Sequence, residues 1–366
     1  RPGAEPPAPA PAQPPAIAPQ PVAHPVATPT PAPQASVSAA PAEPVPAPPS
    51  GPKPLARGDG SAADAELAKG DAAYRRDDFE AALTAYKRAM ELGPKDPAGI
   101  VGLVRARLAK DGVPTDFNAA PNDRTLKGMT MELRRAVALD DAYAPAQLEL
   151  GRALLVLGQA DQAKAALKRA LELDPSEPEA HNALGIMALA EGDVATAERA
   201  LTRAAELDPG SAARQGNLGT IKMLLGKVAE AQRAYEAARK LAPKDPGVLS
   251  DLGTALLASN QPTQAIAVLE EALALAPGNA RAAQNLGYAH HLAQDREKAE
   301  KFYRRALELD PKLVSALINL GNLLAQQGKL ELARAEYQKA KAIDDKDPRV
   351  VAALADLAEL EKSKKP

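Results

Sequence analysis

The sequence predicts an all-α solenoid of repeated helix pairs, and three observations carry that expectation. The chain has 366 residues, of which 25% are charged and only ten are aromatic (three Phe and seven Tyr). An Ala- and Leu-rich, aromatic-poor chain with dense charge is a helical composition. The dipeptide Leu-Gly recurs as Leu150-Gly151, Leu184-Gly185, Leu218-Gly219, Leu252-Gly253, Leu286-Gly287 and Leu320-Gly321, each step being 34 residues. A fixed period of this length marks units that bury their apolar faces by stacking on one another.

The first element is an arm. Twenty of the 35 prolines stand before residue 55, where only Arg1, Glu5, Glu43 and Lys53 are charged. Proline lacks an amide donor and restricts the residue before it, so neither helix nor ladder propagates. Residues 1–60 are therefore expected to form a disordered, polyproline-II-like tether that ends in a flexible joint at Gly58 and Gly60. A ligand for a Pro-binding domain is the alternative role, but short proline spacings match too easily in so biased a segment.

The repeats follow over residues 61–347. Twelve residues after each repeat glycine, Gly70 included, comes an alanine: Ala82, Ala163, Ala197, Ala231, Ala265, Ala299 and Ala333. Four residues later stands a Tyr or Leu, such as Tyr86, Leu167, Tyr303 and Tyr337. A second alanine lies three residues further on, as in Ala89, Ala170 and Ala306. Small residues at fixed places on two amphipathic helices let them approach closely, and the large residue fills the seam. Gly158, Gly192, Gly226, Asn260 and Gly328 mark the turn inside a pair. Asp96-Pro97, Glu177-Pro178, Asp245-Pro246 and Asp347-Pro348 supply an acidic cap and a first-turn proline to the next pair, and Ser61 with Asp64 reads as a capping box.

The second unit, 97–143, is irregular: it holds 13 residues too many, at about 113–128. Leu126, Met129, Leu133 and Val137 keep helical spacing, so Asn122 or Asp123 is expected to cap a lengthened second helix behind a loop. The loop is either a tolerated insertion or a partner contact through Phe117. Six further units follow and end at 347, and residues 348–366 read as a capping helix with a basic tail, its outer face carrying Asp356, Glu359, Glu361 and Lys362.

The register of Gly, Ala, Tyr or Leu, Ala and Pro at this period resembles the tetratricopeptide repeat family over about residues 63–347. The resemblance implies a right-handed superhelix of about eight helix-turn-helix units. One column departs from it: where the family places a large aromatic early in the first helix, this chain has Gln147, His181, Gln215, Leu249, Ala283 and Leu317. Loosened packing between units is the expected consequence.

Several classes of function are excluded or disfavoured. There is no cysteine, hence no thiolate, disulfide or cysteine-ligated metal. No run of 18 apolar residues exists to span a membrane. The net charge is −2 with both signs interspersed, and basic pairs such as Lys87-Arg88 and Arg304-Arg305 are followed by acids at helical spacing, which argues against nucleic acid. His24 lies in the arm, His181 reads as packed, and the adjacent His290 and His291 point about 100° apart on a helix, too far for one metal. No phosphate loop, dinucleotide fingerprint or metalloprotease motif is present. No catalytic residue, metal ligand or cofactor is expected, and the protein is read as non-enzymatic.

The candidate site is a column. Two residues before the repeat glycine stand Glu149, Ala183, Asn217, Asp251, Asn285 and Asn319. The resemblance implies that this column lines the concave groove and that its amides hydrogen-bond the backbone of a bound peptide or helix, an Asn offering both donor and acceptor. Asn217, Asp251, Asn285 and Asn319, supplemented by Tyr288 and Asn322, are the expected partner-binding residues. The clamp used by chaperone-binding relatives needs Lys and Asn where Leu67 and Asp71 stand, so a chaperone's acidic tail is disfavoured. The chain opens on Arg rather than Met, which is expected of a processed form. Its usage and tether point to a scaffold in a bacterial cell-envelope or periplasmic complex. A cytoplasmic adaptor, or a regulatory subunit of an enzyme or secretion complex, is the alternative.

Overall fold

The computed structural model describes residues 52–113 and 119–363. Among them there are seventeen helices and no strand. By packing, the described chain falls into two compact units, one through Ile221 and one from Lys222. The first holds the pairs α1 (Ala62–Tyr74) and α2 (Phe79–Leu92), α3 (Pro97–Lys110) and α4 (Arg124–Leu139), α5 (Ala144–Val156) and α6 (Ala160–Leu173), and α7 (Pro178–Ala190) and α8 (Val194–Leu207). The division falls inside α9 (Ala212–Leu224), whose partner in sequence is α10 (Val228–Leu241). The second unit continues with α11 (Pro246–Ala258) and α12 (Pro262–Leu275), α13 (Ala280–Leu292) and α14 (Arg296–Leu309), α15 (Val314–Gln326) and α16 (Leu330–Ile343), and closes on α17 (Pro348–Ser363).

The repeat columns act as the sequence implies. A Cβ on Gly151 would stand 2.6 Å from Leu167 Cγ, and one on Gly321 would stand 2.3 Å from the Tyr337 ring. The first helix of a pair therefore lies directly on the large residue of the second, and only glycine fits the contact. Ala82, Ala163, Ala265 and Ala333 are fully buried in the same seams. The turns within pairs pass through the left-handed region at Gly158, Gly192, Gly226, Asn260 and Gly328, and also at Asp77 and Gln294, which the pattern did not mark. Asp96, Glu177 and Asp245 cap α3, α7 and α11.

First helices of successive pairs also touch one another: α1 with α3, α3 with α5 and α5 with α7 in the first unit, and α11, α13, α15 and α17 likewise in the second. These helices form the inner face of each unit. The column that lacks the family's aromatic is filled in two ways. In the first unit the side chains of Gln147, His181 and Gln215 each bond the carbonyl six residues earlier, at Asp141, Pro175 and Pro209, at 3.3, 3.0 and 3.4 Å. In the second unit Leu249, Ala283 and Leu317 are buried outright. The packed histidine expected at position 181 is thus a half-buried ring pinned to a turn.

Three expectations need correction or refinement. The tether expected through residue 60 is ordered from residue 52, because its polar and apolar groups find partners in the first unit; residues 1–51 lie outside the described residues. Ser61 caps α1, but the Asp64 carboxylate does not return to the Ser61 amide, as a capping box requires. It accepts from the amides of Arg57 and Gly58 at 2.6 and 2.9 Å. In the second pair, α4 does start behind Asp123, which accepts from the Leu126 amide at 2.7 Å. Its preceding loop returns to α5, the Ala120 amide donating to the Val156 carbonyl at 3.1 Å. Phe117 lies outside the described residues. On α17, Val350 and Leu357 face inward, and Glu361 is not purely outward but pairs with Arg334.

Candidate partner-binding faces

On the inner face of the second unit, α11, α13 and α15 each place one residue of the predicted column. Asp251 is exposed, and Asn285 and Asn319 are half-buried. The Asn285 amide donates to Thr254 Oγ1 on the preceding inner helix at 2.9 Å. Asn322 is exposed and accepts from the Tyr337 hydroxyl at 2.6 Å. Tyr288 is half-buried, and burial raises its phenol above the ordinary value. Although Asp251 is exposed, the protein crowded around its carboxyl thins its hydration and raises it to about 6, Asp245 adding to the rise and Arg281 opposing it. Asn217 stands apart from this group. It lies in the first unit, where its amide donates to Asn182 Oδ1 at 2.8 Å. Five of the six predicted residues thus stand on α11, α13 and α15, with the Asn285 and Asn322 amides already tied to the repeat itself.

The first unit presents a different inner face. Arg105 on α3 and Glu149 on α5 are buried to 3% and 1% side-chain exposure and paired at 2.8 Å. Arg152 donates to the other Glu149 oxygen at 3.0 Å and reaches Glu179 at 3.3 Å. Arg214 joins Glu179 at 2.8 Å to Asp208 at 2.6 Å. Burial would raise the Glu149 carboxyl, but Arg152 and Arg105, with their hydrogen bonds, hold it below the usual carboxylate range. Glu149 belongs to the column singled out from sequence. Arg105 and Arg152 were missed, although both stand on first helices with their charge toward that column. Beside this network lies a cavity of about 220 Å³, lined by Tyr74, Arg105, Leu126, Arg152, Glu179 and Asn182 among others.

The same face carries the strap formed by residues 52–60. Its Leu55 is 1% exposed and belongs to the apolar cluster that includes Leu67 and Val101. The amides of Leu55 and Ala56 donate to one Asp71 oxygen at 2.8 and 2.9 Å, while the other Asp71 oxygen accepts from the Tyr86 hydroxyl at 2.9 Å. Arg105 donates to the Lys53 carbonyl at 3.0 Å. The Lys53 ammonium bridges Asp174 and Glu177, and Arg57 pairs with Asp96 at 3.1 Å while its guanidinium lies 4.6 Å over the Tyr143 ring. Asp71, which counted against a chaperone clamp, is here the acceptor for a peptide backbone. The signal for the strap was present in the sequence: Leu55 is the first leucine of the chain, with Lys53 and Arg57 two residues to either side.

Two family models described as tetratricopeptide repeat match the chain, one at residues 54–97, 148–212 and 250–314, the other at 188–252 and 291–357. The chain belongs to the tetratricopeptide repeat family. The span those matches pass over holds most of the irregular second repeat pair, with its long loop. Tetratricopeptide repeats mediate protein–protein interaction, and proteins built from them are typically non-enzymatic scaffolds. Among curated proteins none matches the sequence. Of solved structures, the chain is similar to one in the APC/C hetero-tetramer Cut9–Hcn1, with a TM-score of 0.58 and 20% identity over 82% of this chain and 57% of that one. It spans little more than half of that chain, and the likeness shows the shared fold. Weaker likenesses are to Pseudomonas aeruginosa PilF (TM-score 0.49, 23% identity, 59% of this chain and 98% of that) and to MamA (0.42, 26%, 46% and 92%).

Among the described residues no group of His, Asp and Glu is placed to hold a metal. His290 is buried and stacked on Phe302, whereas His291 bonds Gln326 at 2.9 Å, so the two rings diverge as their spacing predicts. No described helix is long and apolar enough to cross a membrane.

Proposed function

We propose that this tetratricopeptide repeat protein is a non-enzymatic scaffold that holds a partner peptide or helix on the inner face of its second unit, in the assembly of a bacterial cell-envelope complex. The observation that carries the binding reading is the row of Asp251, Asn285 and Asn319, one per inner helix, with Tyr288 and Asn322 beside it. A side-chain amide presents a donor and an acceptor together, which is what a peptide backbone offers in return. Asn217 on α9 supplies the same group to the first unit. The Pro- and Ala-rich sequence before residue 52 supports a tethered, envelope-attached role.

The experiment compares partners captured from source-cell envelopes by the full chain and by a variant with Asn217, Asp251, Asn285 and Asn319 changed to Ala. Circular dichroism first establishes that both are equally helical. A partner recovered with the full chain and lost from the variant supports the reading. Equal recovery overturns it, and recovery only from the soluble cytoplasmic fraction overturns the envelope assignment.

A further inference from the structure

Lys53 to Arg57 is held against the first unit by side chains from several of its helices and helix caps. Its backbone is irregular, with a bend at Leu55, and is bonded by side chains rather than by a neighbouring strand: two amides to Asp71, the Arg57 amide to Asp64, and one carbonyl to Arg105. One aliphatic side chain, Leu55, is sunk in the apolar cluster. One cation on each side, two residues away, meets its own acids: Lys53 with Asp174 and Glu177, Arg57 with Asp96.

We propose that this face is a binding site for a partner segment of the pattern basic–x–aliphatic–x–basic, and that Lys53–Arg57 is its resident occupant, displaced when the partner binds. The proposal is independent of the amide row on the second unit. The chemistry of the site selects the occupant. With the strap removed, Asp64, Asp71, Asp96, Asp174 and Glu177 are left around one apolar socket, which favours an aliphatic side chain flanked by cations and rejects an acidic segment. The hold on the strap is suited to exchange. Its three ion pairs are made by the Lys53 and Arg57 side chains, which are 42% and 44% exposed, where ion pairs add little. The joint that follows holds Gly58 and Gly60, at φ 73° and 78°, with open space where a side chain would stand; its contact with α1 is the Gly58 amide on Asp64, at 2.9 Å, which water can replace when the strap leaves. Arg105, which holds the Lys53 carbonyl, also lines the 220 Å³ cavity. A partner longer than the strap has that volume to extend into.

The test uses the full chain and a strap-release variant carrying Lys53→Glu, Leu55→Asp and Arg57→Glu. The probes are fluorescent synthetic peptides: residues 52–60 of this chain, the same peptide with aspartate for its leucine, and an unrelated Arg-Gly-Ile-Gly-Lys sequence. The expected result is at least ten-fold tighter binding of the first and third peptides to the release variant than to the unchanged chain, weakening with added salt, and no binding of the second. A release variant that stays helical and binds no better than the unchanged chain overturns the proposal. So does binding of the chain's own peptide but not of the unrelated one, which makes the contact self-recognition alone. Amide hydrogen exchange on the unchanged chain covers the case in which the variant fails to fold. An exchangeable strap loses its Leu55, Ala56 and Arg57 protons at least ten-fold faster than Val101 and Val104 in α3, and equal protection makes it a fixed brace and overturns the proposal.

Discussion

The two units are built on one repeat and solve the same packing problem with opposite chemistry. In the first, the place of the missing aromatic is taken by Gln147, His181 and Gln215, which bond turn carbonyls, and the inner face is braced by Arg105, Glu149, Arg152 and Glu179. In the second, the same place is apolar and the inner face carries Asp251 and neutral amides. A buried ion network is costly to desolvate and tolerates no missing member, whereas an apolar seam loses stability in proportion to the volume removed. The first unit should therefore fail abruptly on losing one charge, and the second gradually.

The largest expected effect is that of Arg105→Ala. It leaves Glu149 buried with half its charge pairing and removes the donor to the Lys53 carbonyl, at a cost of about 3–5 kcal/mol. Urea unfolding followed by hydrogen exchange, unit by unit, reads it, and a loss confined to the first unit is expected. Arg105→Met with Glu149→Leu should recover most of that loss; if it does not, the network is more than a compensated burden.

Next is a matched pair in the aromatic column. Leu249→Ala should cost about 2–5 kcal/mol, as a fully buried leucine does. Gln147→Ala, in the corresponding place of the first unit, should cost about 0.5–1.5 kcal/mol for one hydrogen bond. Equal losses in chemical denaturation would erase the distinction between the units.

Leu55→Ala should cost about 1.5–3 kcal/mol of local strap stability. It should speed exchange at Leu55 and Ala56 while leaving the melting of the second unit unchanged.

The smallest effect is a pH dependence in the second unit. The folded chain holds the Asp251 proton more tightly than the unfolded chain does, at about 6 against an ordinary 3.8. This group therefore favours folding fully below about pH 3.8, and the benefit is lost as the pH rises through about 6. Because the side chain is exposed, Asp251→Asn should stabilise the unit at pH 7 by no more than about 1 kcal/mol and flatten the pH profile between 4 and 6 in thermal melts.

The period made the helices legible because each column has one physical job. Gly151 must be small to meet Leu167, and Asp123 must precede α4 to cap it. Two of the turns escaped notice because Asp77 and Gln294 take a backbone conformation that glycine usually signals. The predicted column falls on the first helices of the pairs, but periodicity could not tell free amides from engaged ones: Asn285 turns to Thr254 and Asn217 to Asn182. The charged network and the strap were hidden for a different reason. They join residues 44 and 52 positions apart in sequence, and no repeat encodes contacts made once. Proline density also masked Lys53–Arg57, since composition averages over a segment in which a few side chains decide the outcome.

The strap has a practical consequence for how this protein is cut. The repeat pattern invites a truncation at Ser61, where α1 is capped. Such a fragment would expose an empty leucine socket ringed by the carboxylates of Asp64, Asp71, Asp96, Asp174 and Glu177. It would carry a cation-seeking patch that the longer chain keeps covered, and basic linkers or tags placed at its new end would settle there. Fragments meant to report on the repeats alone should begin no later than Pro52.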